Sequence, residues 1–112
     1  MAKGESLGEF EYLVLLAIVR LRQDAYGMRV RREIADRTGR DTSIGAVYAT
    51  LDRLEAKGLI RGTVSAPTPE RGGRAKRSFE ITRSGLTAIN RTREDFANML
   101  DGLVLPPQGA LR

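Results

Sequence analysis

The sequence predicts a mainly α fold with one two-stranded β-hairpin, and three observations carry that expectation. Four stretches repeat apolar residues at spacings of 3 and 4, the period of a helix with a buried face. Between the third and fourth stretches, two short runs alternate with period two on either side of a Pro- and Gly-rich segment. The last helical stretch is longer than a core built from 112 residues requires.

Ser6-Leu7-Gly8-Glu9 has the form of a capping box, a serine to accept from the open helix N–H groups and a glutamate three residues on. The first helix is expected to start there. Phe10, Leu13, Val14, Ala17, Ile18 and Leu21 form one apolar face, and Tyr12, Leu15, Leu16 and Val19 form a second. A helix apolar on two sides needs cover on both, and so small a domain has little to supply, so the second face is a candidate subunit contact. Gln23-Asp24 ends this helix. Asp24 is expected to cap a second helix over 25–38, with Tyr26, Val30 and Ile34 inside and Gly39 as a left-handed stop. Its outer face sets Arg29, Arg31, Arg32 and Arg37 around Glu33, which reads as a solvated surface with a Glu33–Arg37 pair rather than a specific contact.

Ser43 is expected to cap a third helix reaching residue 57, with Gly58 ending it. At about 100° per residue, Ile44, Val47, Leu51 and Leu54 cluster inward while Gly45, Ala46, Ala49 and Arg53 point away. A face of small residues suits a helix that must approach another surface closely, as in a DNA major groove. Taken alone, it suits a plain solvent-facing helix equally well. Segments 59–64 and 77–82 read as the strands of the hairpin. Between residues 61 and 77, Arg61, Arg71, Arg74, Lys76 and Arg77 stand against Glu70 alone, so this segment holds +4 of the net charge of +5. A Pro/Gly loop so charged, beside a helix built for close approach, favours phosphate contact over plain solvation.

Thr82 is expected to cap a last helix over 83–103. Leu86, Ile89, Arg93, Phe96, Leu100 and Leu103 alternate spacings of 3 and 4 in a heptad seam, with Arg93 its single polar member. Such a seam needs another helix. Either it meets the first helix of a second copy, or it closes the core of its own protomer. Segment 104–112, broken by Pro106-Pro107, is expected to be loose. The order helix, helix, helix, ribbon, long helix is that of a winged helix-turn-helix over residues 1–82, followed by a C-terminal dimerisation helix over 83–103.

The chain holds neither cysteine nor histidine, which excludes disulfides, thiol catalysis, ordinary zinc sites and any triad that needs an imidazole. No pair of carboxylates stands at metal-ligand spacing on one predicted face of the basic surface, so metal-dependent cleavage of nucleic acid is not expected. Gly72-Gly73 lacks the Lys-Ser/Thr pair of a phosphate-binding loop. The expectation is a protein that is not an enzyme and takes no cofactor and no metal. The first six residues lack a signal-peptide apolar core, and no apolar run approaches the roughly 20 residues that span a bilayer. No membrane contact and a cytoplasmic location are expected.

Leu7-Gly8-Glu9-Phe10-Glu11 leads into Ala25-Tyr26-Gly27, then Ser43-Ile44-Gly45-Ala46-Val47-Tyr48. Leu51-Asp52-Arg53-Leu54-Glu55-Ala56-Lys57-Gly58-Leu59-Ile60 and Glu80-Ile81-Thr82-Arg83-Ser84-Gly85 follow. Together, over about residues 7–100, these segments resemble the PadR family of transcription regulators, in the compact subgroup with a single C-terminal helix. The resemblance implies a repressor that binds a pseudo-palindromic operator as a homodimer and releases it on a signal, which can be a small-molecule effector. It further implies that the C-terminal helix docks on helix 1 of the other protomer. Ala49 stands where many members have proline, which makes the start of the reading face a more regular helix. Some relatives bind planar drugs between interface tryptophans, and this chain has no tryptophan.

On this reading the third helix offers Thr42, Ser43, Gly45, Ala46, Tyr48, Ala49, Thr50 and Arg53 to double-stranded DNA. Arg53 is the expected direct reader, since a guanidinium can bond a guanine edge at two points. Tyr48 is either a phosphate contact or a packed flank residue. The wing adds Arg71, Gly73, Arg74, Lys76 and Arg77. The dimer interface is expected to use Tyr12, Leu15, Leu16, Val19, Leu86, Ile89, Arg93, Phe96, Leu100 and Leu103. The competing reading is a winged-helix protein–protein interaction module that does not bind DNA.

Overall fold

The computed structural model describes residues 7–64 and 76–111. Helix α1 spans Glu9–Leu21, a 3-10 turn covers Arg22–Asp24, α2 spans Gly27–Thr38 and α3 spans Ile44–Ala56. Strands β1 (Ile60–Val64) and β2 (Arg77–Ile81) follow, then α4 (Arg83–Leu100) and a 3-10 turn at Gln108–Ala110. The architecture is mostly helical with one two-stranded antiparallel sheet, as expected.

Helix α1 begins two residues later than the expected capping box. Gly8 is its N-cap, and Glu11 Oε1 accepts from the Gly8 N–H at 2.9 Å, while Ser6 lies outside the described residues. The glutamate is buried and anchored from α3, so the helix starts where that carboxylate can reach its own first turn. The start of α2 is also displaced. Asp24 does not cap it, because Ala25 and Tyr26 are drawn into the sheet: the Ala25 carbonyl accepts from Phe79 N–H at 3.0 Å and Tyr26 bridges Ser78. The helix therefore starts at Gly27 with Tyr26 as an N-cap that makes no side-chain bond. Gly39, at φ 76°, ends it in the left-handed conformation.

Ser43 caps α3, its Oγ accepting from Ala46 N–H at 3.0 Å. The strands pair in the register Ile60↔Ile81 through Val64↔Arg77, one residue shorter at the base than expected. Leu59 and Thr82 are used differently there. Thr82 N–H donates to the Leu59 carbonyl at 3.1 Å, and Thr82 Oγ1 donates to the Gly58 carbonyl at 2.7 Å while accepting from Gly85 N–H at 3.1 Å. One threonine thus joins the end of α3, the sheet and the start of α4. Helix α4 stops at Leu100, three residues short of the expected end, because Asp101 is extended and Gly102 turns left-handed at φ 72°.

Val14, Leu15 and Ile18 of α1, Val30 and Ile34 of α2, Val47, Leu51 and Leu54 of α3, with Ile60 and Phe79 of the sheet, form one core that Ile89 of α4 closes. Two residues expected at a subunit contact belong to it instead. Leu15 and Ile89 are 0% and 7% exposed within a single protomer, because the α1 face that carries Leu15 lies under the other elements and the first turns of α4 cover the rest. Beyond Thr92, by contrast, every described residue is exposed. The radius of gyration, 16.9 Å, exceeds the roughly 13 Å of a compact chain of this length, and the long axis reaches 59 Å. The exposed distal half of α4 and the segment that follows it accord with this elongation. No helix among the described residues is long and apolar enough to cross a membrane.

Candidate nucleic-acid interface

The exposed side of α3 is defined by what packs behind it. Val47, Leu51 and Leu54 point into the core at 0% exposure, which turns Gly45, Ala46, Ala49 and Arg53 outward. A Cβ added to Gly45 would meet nothing within 4 Å, so no neighbour among the described residues covers the start of this face. Ser43 is exposed at the cap. Thr50, expected among the groove-facing residues, is only 3% exposed, and its Oγ1 accepts from Arg53 Nη2 at 3.3 Å. It sits on the border of the buried stripe, one position from Leu51, and is withdrawn from the outer face. Thr42 is half-buried with its hydroxyl enclosed and without a partner among the described residues, and its carbonyl accepts from Arg31 Nε at 2.6 Å. Its side chain is therefore also turned away from solvent.

Tyr48 lies along the flank of α3 at 37% exposure. The position a Cβ would take on Gly27 is 2.5 Å from Tyr48 Cζ, so the ring lies directly on the first turn of α2. The glycine permits that approach.

Arg53 leans back toward α1. Its Nε donates to Glu11 Oε2 at 3.2 Å, and Lys57 Nζ reaches the same carboxylate at 3.1 Å. Burial by itself would raise the Glu11 carboxyl. The Gly8 amide, the Lys57 ammonium and the Arg53 guanidinium together outweigh that and hold it below the ordinary carboxylate range. Half of the Arg53 side chain stays in solvent, 55% exposed, so it is a strut with an outward edge.

On the ribbon, Lys76 is exposed with its ammonium 4.9 Å from the centre of the Tyr26 ring. Arg77 is engaged by α3: its guanidinium donates to Glu55 Oε1 and, at 3.4 Å, to Asp52 Oδ1. Arg71, Gly73 and Arg74 lie outside the described residues. On α2 the expected Glu33–Arg37 pair is present at 2.7 Å and Arg20 joins it at 3.2 Å. Arg31 pairs with Asp41, whereas Arg29 and Arg32 are exposed and without an ion pair among the described residues.

Along α4, Leu86 in the first turn is 46% exposed, and toward the far end Phe96 is 61% and Leu100 54%. Leu103 lies past the helix end and is exposed, as is Arg93, which donates to Asn90. Tyr12 and Leu16 are half-buried on α1 beside exposed Val19. The heptad reading missed Met99, Val104 and Leu105, which are exposed apolar residues of the same end. The sequence reading also missed Glu11 and Glu55, whose cationic partners lie 22 to 46 positions away and leave no local trace.

Three helices, a two-stranded ribbon and an uncovered third helix define a winged helix-turn-helix. Comparison with known proteins agrees. Residues 15–91 match the model of the transcriptional regulator PadR-like family, and the chain belongs to that family, whose members are transcription factors rather than enzymes. It is similar to the crystal structure of a PadR family transcription regulator from hypervirulent Clostridium difficile, with TM-score 0.71 and 18% identity, covering 84% of this chain and 93% of that one. It is similar to a PadR family transcriptional regulator from Eggerthella lenta, with TM-score 0.65 and 25% identity, covering 84% and 81%. F93 from STIV, described as a winged-helix DNA-binding protein, is similar with TM-score 0.68 and 20% identity, covering 89% and all of that chain. No curated protein matches.

Proposed function

We propose that this regulator is a homodimeric repressor that lays two copies of α3 into successive major grooves of a pseudo-palindromic operator. The carrying observation is the uncovered small-residue face of Gly45, Ala46 and Ala49, which leaves the helix slim where base edges would lie. Ser43 and Tyr48 stand at its margins to meet the sugar–phosphate backbone, and the outward edge of Arg53 reads a base. Arg71, Gly73, Arg74 and Lys76 of the wing meet phosphates or the minor groove. A dimer would set its reading helices about 34–36 Å apart, one turn of duplex.

The same reading pairs the exposed apolar end of α4 with Tyr12, Leu16 and Val19 on α1 of a second copy. An exposed series of large apolar residues on an otherwise charged helix is what an unpaired half of a dimer offers. No ligand is assigned.

The test is a gel-shift titration of the DNA upstream of the coding region with wild type and A49E. Wild type retards a fragment as a dimer at about 0.1 M salt, where phosphate contacts still contribute. A49E, at an exposed position, melts like wild type and retards nothing. A wild-type protein that retards no fragment, or an A49E variant that binds unchanged, overturns the proposal.

A further inference from the structure

The β-ribbon is held to α3 at two levels. At its base, Thr82 bonds to Leu59 and Gly58, as described above. Further along the paired register, between the middle of β1 at Gly62 and the start of β2 at Arg77, a second fastening is made by one carboxylate of α3. Glu55 accepts from the Arg77 guanidinium through Oε1 and from the Gly62 N–H through Oε2 at 3.1 Å. Both strands are thereby bound to the same side chain.

The surroundings fit this role closely. A Cβ on Gly62 would lie 3.2 Å from Glu55 Oε2 and from Phe79 Cε1, and 3.3 Å from Arg77 Nε, so a bare backbone is what lets helix and strand approach. The Arg77 guanidinium also lies 4.9 Å from the Phe79 ring centre and reaches Asp52. Its planar fork is occupied by two carboxylates and an aromatic face. Asp52 and Glu55 are the acids on the helix that would approach a polyanion, and this one arginine pairs with both, its single charge offsetting one of their two.

We propose that Arg77 and Glu55 are positioning residues that lock the ribbon to α3, so that the two meet a duplex as one rigid body, and that Arg77 does not itself neutralise a phosphate. This rests on the DNA-binding reading above and differs from the sequence expectation, which counted Arg77 among the direct contacts. The arginine acts through geometry and through masking of helix charge.

The salt dependence of binding separates the two roles, because each lost phosphate contact lowers the slope of log K against log salt by about 0.9. The full chain is titrated with a mixed-sequence duplex of about 30 base pairs at several salt concentrations from about 50 to 200 mM. R77A weakens binding several-fold with the wild-type slope. R77K, which keeps the charge but not the fork, weakens it comparably and serves if R77A melts too low to assay. E55Q, whose amide oxygen can still accept from Gly62, weakens binding as well, and the R77A/E55Q double variant is no worse than either single variant. A slope reduced by about 0.9 in R77A, full affinity in R77K, or tighter binding by E55Q overturns the brace while leaving DNA binding in place. A wild-type chain indifferent to the duplex removes both.

Discussion

Glu11 accepts a hydrogen bond from Arg53 Nε at 3.2 Å and so ties α3 to the first turn of α1. The carboxylate is 9% exposed and the guanidinium 55%, which makes Glu11 the fixed anchor and Arg53 the arm that extends from it. Lys57 grips the same anchor at 3.1 Å, one turn further on at the C-cap of α3.

Removing the charge of that anchor should loosen α1 from α3. E11Q is expected to cost about 1–2 kcal/mol at pH 7, kept modest because both cations remain partly in water. The pH dependence has a definite sign. Folding holds this carboxyl below its ordinary value of 4.5, so its contribution is complete above that value and fades as pH falls through the lower folded-state value. Thermal melts of wild type and E11Q should differ at neutral pH and converge in acid below 4.5. A constant gap across that range would refute the assignment.

Gly85 is required by packing. A Cβ there would collide with the Leu59 carbonyl oxygen and lie 2.5 Å from Ile81 Cδ1, and the carbonyl is backbone that cannot swing aside. G85A should lose about 2 kcal/mol or more, in the range of overpacked cores. G109A, where a Cβ meets nothing within 4 Å, should melt like wild type.

Arg22 closes α1 at φ 55° and ψ −118°, a conformation that L side chains rarely adopt. Its side chain is exposed, so little packing is lost on truncation. R22G should raise stability by about 1 kcal/mol, the relieved strain exceeding the added entropy of the unfolded glycine. Equal or lower stability in denaturant titration would count against strain at this corner.

Phe96 and Leu100 are exposed within one protomer, whereas Leu15 is fully buried. The double variant F96E/L100E should therefore sediment as a monomer with an intact far-ultraviolet spectrum, and wild type as a dimer. L15A should lose about 2–5 kcal/mol through a cavity in the protomer core. A wild-type monomer at micromolar concentration would contradict the subunit contact.

The elements were legible in the sequence because each rests on a local pattern. Ser43 and Thr82 cap their helices as their positions suggest, and Val47, Leu51 and Leu54 face inward as their spacing dictates. Less legible was the division of labour at the borders of a stripe. Thr50 lies one step from Leu51, and a helical wheel leaves such a residue on either side until the neighbouring helices are in place. Leu15 and Ile89 show the same ambiguity, since an apolar side chain fits a protomer core and a subunit contact alike.

What the chain itself determined was therefore the order of helices and strands and the bare face of α3, all set by periodicity, caps and glycines within a few residues of one another. Only the folded structure decided which arginines are committed. Arg53 and Arg77 look like free cations in one dimension, and folding brings Glu11, Asp52 and Glu55 against them from 22 to 42 positions away. A pair one helical turn apart, such as Glu33–Arg37, is written in the local spacing, whereas no local pattern encodes the distance between residues so far apart in the chain.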